Sequence, residues 1–220
     1  MTTITATATT PTAITVTATT PVTISVAVLS TAIIPAAKVL ATGQTTSYAA
    51  NDDGDLEKGI PHSYTVLTTG QYAGTTNITM ATKTDAHSNE CVLDEATGLM
   101  WSRTVSASVG PTSNGLLPWT TNGSGEGIFT YATAANAASL AGYTDWRVPN
   151  INELASLCDY TNGINAVAFP VWDKANSYWT TTTRLATSTQ AHFVIFSLPA
   201  ITTGSLKTVT YLTALVRGPV

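Results

Sequence analysis

The chain opens on a regular alternation of β-branched and small residues. Ile4 to Pro11 reads ITATATTP and Ile14 to Pro21 reads ITVTATTP, a ten-residue repeat with a degenerate third copy from Ile24. Period-2 patterning of this kind predicts short strands or one extended arm. The proline closing each of the first two copies cannot extend a central ladder. Residues 1–37 carry no charged side chain. So short an arm buries too little apolar area on its own to offset backbone ordering at ~1–2 kcal/mol per residue. It therefore either packs on another surface, adding strands to a neighbour, or stays a loose low-complexity leader.

Further along, the pattern changes character. Residues 38–62 read as a loop with an acidic turn at Asp52, Asp53, Asp55 and Glu57, and Tyr64 to Asn89 as short Thr/Gly-rich strands and turns. Gly98 to Arg103 (GLMWSR) predicts a strand entering a core, followed by a long polar loop to Gly127 that contains Trp119. Thr133 to Ala141 predicts an Ala-rich helix stopping at Gly142. A second helix starts at Asn150 with Glu153 at N3, a capping box, and places Ile151, Leu154, Ala155 and Cys158 on one apolar face. Tyr178 to Thr183, Ala191 to Leu198 and Lys207 to Arg217 predict three strands, the middle one buried on both faces. Strand, long loop, two helices and a terminal set of strands make an α+β domain. The expected division is an uncharged Thr-rich β arm over 1–41, linker and short strands over 42–85, and the domain proper over 86–220.

Composition narrows the functional classes. Charged residues are only 10% of the 220, net charge is −4, and nine Lys and Arg are scattered without a stripe. No phosphate backbone is matched by such a surface, so nucleic acid is not an expected partner. No basic leader segment follows Met1 and no apolar run is long and clean enough to span a membrane. Two cysteines, Cys91 and Cys158, permit at most one internal disulfide; Cys158 falls on the core face of a helix and reads as a small hydrophobe.

Candidate chemistry is sparse. Asp52, Asp53 and Asp55 alternate around Gly54 as a hard cation such as calcium would require, but the distal bidentate Glu of an EF-hand is missing. A solvated acidic turn is the plainer reading, with no cofactor. His62 and His87 are isolated in sequence from other metal ligands. No Ser/His/Asp, Cys/His or paired-carboxylate constellation suggests catalysis. All five tryptophans lie between Trp101 and Trp179. Trp101, Trp146 and Trp179 are expected in the core, with Arg147 and Asp145 pairing or capping nearby backbone. A ligand surface would use Trp119, Asn122 and Tyr131 with Arg184 and Gln190, for stacking faces and amide or guanidinium donors. Trp119 serving only to plug its loop onto the core is an equal alternative.

Several strings together carry a family resemblance: CVLDEATGLMWSR (Cys91 to Arg103), AGYTDWRVPNINELASLCDY (Ala141 to Tyr160), FP at Phe169 and Pro170, YWTTT from Tyr178, and LVRG from Leu215. Their order resembles that of DUF1566/Lcl-type domains, and Thr42 to Gly59 looks like the leader found before them. The resemblance implies a C-type-lectin-like fold and a binding module without catalysis, of the kind found in phage structural proteins and bacterial adhesins. It leads to two expectations. One is a virion structural protein at the virion surface, in a capsid decoration or a tail or fibre, anchored to other virion proteins or its own copies through residues 1–37 and binding a cell-surface glycan or receptor. The alternative is an extracellular or cell-surface adhesin that binds glycans.

Overall fold

The computed structural model describes residues 39–67, 90–105, 115–120, 123, 125–197, 200–201 and 204–218. The repeat-bearing arm and residues 68–89, His87 among them, lie outside the described residues.

Within the described residues, helices are few and short and most strands pair antiparallel, an α+β arrangement. After a short helix α1 (Asp53–Leu56), strands β1 (Tyr64–Leu67), β2 (Cys91–Asp94) and β3 (Leu99–Ser102) form an antiparallel sheet. The last strand, β10 (Val216–Arg217), closes it against β3, bringing both ends of the domain into one sheet. β4 (Leu117–Pro118) pairs with β9 (Thr210–Tyr211), and Pro118 sits where a strand of two residues with one partner needs few donors. A third sheet joins β5 (Ser177–Thr183), β6 (Gln190–Ile195), β7 (Ala200–Ile201) and β8 (Ser205–Leu206).

Successive side chains on a strand point to opposite faces, and here the two faces meet two different cores. Val92, Trp101, Tyr178, Ala214 and Val216 join one buried cluster with Trp172, Phe169 and Leu154. Their immediate neighbours Cys91, Met100, Trp179 and Leu215 join another, with Trp146, Tyr131 and Leu140. The run Leu212 to Val216 is buried throughout, which explains why Lys207 to Arg217 is not the single strand its alternation suggests. Thr210–Tyr211 pairs with β4, Leu212 bridges Tyr178 in parallel, and Val216–Arg217 pairs with β3, so the segment changes partner as it crosses the interior. Conversely β6, expected to be buried on both faces, buries Ala191 and Val194 while His192, Phe193 and Ile195 are half-buried.

Two helices pack beside the sheets. α2 (Ile128–Ala137) begins five residues before the expected Ala-rich helix, where the Thr130 hydroxyl accepts the Gly127 N–H at 2.8 Å. It ends at Ala137 with Ala138 as its C-cap, ahead of a 3-10 turn at Leu140–Gly142. α3 (Ile151–Ala155) starts from the capping box: Asn150 Oδ1 accepts from the Asn152 and Glu153 amides, and Glu153 accepts from Asn150 N–H at 2.8 Å.

Of the stretch expected as linker and short strands, the described residues 42–67 contact the domain. Tyr64 and Val66 of β1 pack against the first core. Ahead of β1, residues 41–59 form a loop closed by the Leu40–Ile60 bridge and docked on the Asp159–Gly163 turn: Tyr160 N–H donates to Thr42 O at 2.8 Å and Thr161 Oγ1 to Gly43 O at 2.7 Å. The His62 Nδ1 lies 3.2 Å from the Tyr64 hydroxyl.

Candidate binding surface

Four of the five indole N–H groups act as cross-links. Trp119 donates to Thr180 O at 2.8 Å, and Trp179 donates back to Leu117 O at 3.0 Å, so the 115–120 segment and β5 are pinned reciprocally. Trp146 donates to Leu140 O, and Trp172 to Arg103 O. Trp101, Trp146 and Trp179 are buried, each with its ring in one of the two cores.

Around the half-buried Trp119 a mixed surface assembles. Phe129, at the start of α2 and 44% exposed, meets the Trp119 ring edge-on with centroids 4.8 Å apart. Lys207 Nζ stands 3.7 Å from the centroid of the Trp119 ring and donates to Thr183 Oγ1 at 2.9 Å. Next to it Arg184 donates to Gln190 Oε1 at 2.7 Å across the end of the β5–β6 hairpin, and the Lys207 N–H donates to Thr189 O. Trp119, Arg184 and Gln190 are therefore brought together, and Lys207 links them. Arg103, Arg147 and Arg217 each pair with a carboxylate, at 2.5, 2.5 and 2.7 Å. Arg184 and Lys207 meet only neutral oxygens and a ring among the described residues, which leaves their charge unmatched and several N–H donors open.

Other expected site residues are placed elsewhere. Tyr131 lies on the inner face of α2 at 0% exposure, so it is a core side chain rather than part of the Trp119 surface. Asn122 lies outside the described residues. Phe129 and Lys207 were not anticipated; Lys207 is the one cation between Arg184 and Arg217 in the sequence, but its seat on an indole belongs to tertiary packing.

The acidic turn has a structural task. Asp52 caps α1, accepting from the amides of Tyr48, Ala49 and Asp55 at 2.6, 2.9 and 2.9 Å. The Tyr48 amide in particular holds its carboxyl below the usual value, against partial desolvation and with help from the other two amides. Asp53 accepts from the Thr42 hydroxyl, and Asp55 from the Asn51 amide. Three carboxylates turned to separate backbone or hydroxyl donors do not converge, and no three metal-ligating side chains cluster among the described residues. Gly54 is required for a different reason: a Cβ there would lie 2.1 Å from Thr46 O.

Asp145 and Arg147, two residues apart, have separate partners. Arg147 makes a bidentate pair with Glu153 at 2.7 and 2.5 Å and reaches Gly218 O. Asp145 pairs with Arg217, whose guanidinium lies 3.8 Å from the Tyr143 ring centroid. Both cysteines are buried and unbonded to each other; burial raises the Cys91 thiol to about 12 and Cys158 to about 11. Such thiols are inert at neutral pH.

No helix among the described residues is long and apolar enough to cross a membrane. No curated protein matches the chain. The model of a family described as the Lcl C-terminal domain matches residues 90–217, which takes in β2 with the GLMWSR strand, the DWRVPN turn and capped α3, the YWTTT strand and the closing β10. The chain therefore belongs to the DUF1566-type Lcl C-terminal domain family.

Proposed function

We propose that the chain is a non-catalytic virion structural protein, anchored through residues 1–37 to other virion proteins or its own copies, that displays a C-type-lectin-like domain for attachment to a cell-surface receptor or glycan. The observation that carries the attachment half is the Trp119 surface. A ring clamped by reciprocal indole bonds, an exposed Phe129 and two cations without carboxylate partners present a rigid face with unused donors. Rigid aromatic anchors beside open polar donors suit recognition because little side-chain entropy is lost on binding. Support for a lectin-like fold comes from first and last strands sharing one sheet and from the α+β layout. Multivalent display lets contacts of millimolar strength sum to firm attachment.

Two variants test the two halves. Deletion of 1–37 should abolish co-sedimentation with assembled particles while the remainder keeps its cooperative melt. The pair Phe129→Ala and Lys207→Ala should leave assembly intact and reduce particle adsorption to cells. If the deletion still co-sediments and purified protein alone binds glycans, a secreted or surface adhesin replaces the virion reading. Adsorption unchanged in both point variants removes the Trp119 surface from the account.

A further inference from the structure

We infer that the open edge of β1 is the seat of the N-terminal arm of a second copy, whose ten-residue repeat adds a strand to the sheet. The inference rests on the reading of residues 1–37 as the anchor, and names both its partner and the edge it joins.

Backbone register identifies the edge. Glu95 N–H donates to Ser63 O at 2.9 Å, and on the far side of β2 the Arg103 N–H donates to Glu90 O at 3.3 Å. Residues of an antiparallel ladder alternate between bonded and non-bonded pairs, so both bonds set the same phase: Ser63, Thr65 and Leu67 turn N–H and C=O toward Glu95, Leu93 and Cys91. Tyr64 and Val66 turn theirs outward, where no partner meets them among the described residues. The opposite end of the sheet is closed. There Arg147 N–H donates to Val216 O at 2.9 Å, and Val216 N–H donates back to Arg147 O at 2.8 Å.

β1 also lacks the devices that keep an edge solitary. Ser63 to Leu67 holds no charge, no proline and no bulge. Its side chains are already turned inward, Tyr64 and Val66 on the first core and Leu67 on the second. What remains open is backbone, and a strand bound through backbone alone needs length and β-propensity rather than a particular sequence. The arm supplies both. Ile4 to Thr10 and Ile14 to Thr20 are uncharged seven-residue stretches of alternating β-branched and small residues, each free of proline until its end. An edge short of a strand and a strand short of cover thus occur in one chain.

Direction selects a neighbour. Leu40 bridges Ile60 in parallel, with the Ile60 N–H on Val39 O and the Ala41 N–H on Ile60 O, both at 2.9 Å. The chain at Val39 therefore heads the same way as the residues that lead into β1, and pairing within one copy would require it to double back. The arm of another copy meets no such constraint.

Residue-resolved amide hydrogen exchange of the full chain at high and low concentration, with sedimentation velocity on the same samples, tests this. An assembly is expected, in which the Tyr64 and Val66 amides exchange as slowly as that of Thr65 and speed up on dilution. Removing residues 1–37 should leave a monomer whose Tyr64 and Val66 amides exchange roughly a hundredfold faster, while Thr65, bonded to β2, stays slow and reports an intact sheet. Val66→Pro in the full chain removes one outward N–H and none toward β2, and should weaken assembly without changing the melt. Fast exchange at Tyr64 and Val66 in the full chain, slow exchange in a concentration-independent monomer, or assembly untouched by Val66→Pro each overturns the inference. Slow exchange at Tyr64 and Val66 that survives the deletion, with particle co-sedimentation lost, overturns the β1 seat alone and leaves the anchor reading standing.

Discussion

Glu153 shows how much one side chain can hold in place here. It accepts the Asn150 amide, completing the cap of α3, and grips Arg147 with both oxygens. Partial burial alone would raise its pKa, but the Arg147 guanidinium and the Asn150 amide outweigh that and keep the carboxyl below its usual value. A carboxyl depressed in the folded state contributes stability above the ordinary carboxylate range and loses that contribution as pH falls through the folded value. Glu153→Gln should therefore lower the unfolding free energy at neutral pH by about 1 kcal/mol for the lost charge-assisted bonds. Its stability should also fall less steeply than wild type below about pH 4.5; parallel acid profiles for the two proteins would refute the role. Trp119→Phe keeps an aromatic ring but removes the indole N–H and its bond to Thr180 O, along with part of the packed ring, so chemical denaturation should show a loss of about 1–2 kcal/mol. At Gly163, φ is +85° and Phe196 O leaves no room for a methyl group. Gly163→Ala should cost about 1–3 kcal/mol by the same measurement, from crowding and the left-handed backbone together.

Among the elements, β1 is the one whose importance is least visible in its own residues. Four residues form the sheet edge, yet Tyr64 and Val66 cover the first core and Tyr64 meets the Phe169 ring edge-on at 5.4 Å. The family match begins only at residue 90. A chain starting at residue 86 should accordingly be less stable than one starting at residue 39, with a lower melting temperature and faster proteolysis. Tyr64→Ala in the full chain should reproduce much of the loss, at about 2–3 kcal/mol. Equal melting temperatures for the two truncations would show that the leader only decorates the domain. The start of α3 is marked in sequence because capping is local, Asn150 and Glu153 being three residues apart; the helix ends at Ala155, so Cys158, expected on its apolar face, is buried from the segment that follows instead. α2 was marked only in its Ala-rich half. Its first turn contains Ile128, Phe129 and Tyr131, poor helix formers that are recruited by burying Ile128 and Tyr131 in the second core.

At the scale of the whole molecule, the strands divide their side chains between two cores, and both cysteines are sealed on opposite sides of that division. Neither thiol should react with a disulfide reagent at pH 8 in the native protein, both should react after denaturation, and mobility without heat or reductant should not change on reduction. Rapid native labelling of either would contradict the burial. What the amino-acid order alone determined is everything with a short range or a strong composition: the α+β class, the capping box, the central strands, the tryptophan-rich core and the family strings. Near neighbours along the chain meet whatever the rest does, so their physics is readable in place. Only the tertiary structure decided that Lys207 sits on Trp119, that Tyr131 faces inward, that Asp145 and Arg147 part toward Arg217 and Glu153, and that β1 joins the sheet of β2. These contacts join residues from six to 88 positions apart, and which partners meet is set by the two cores competing for the same strands rather than by local preference.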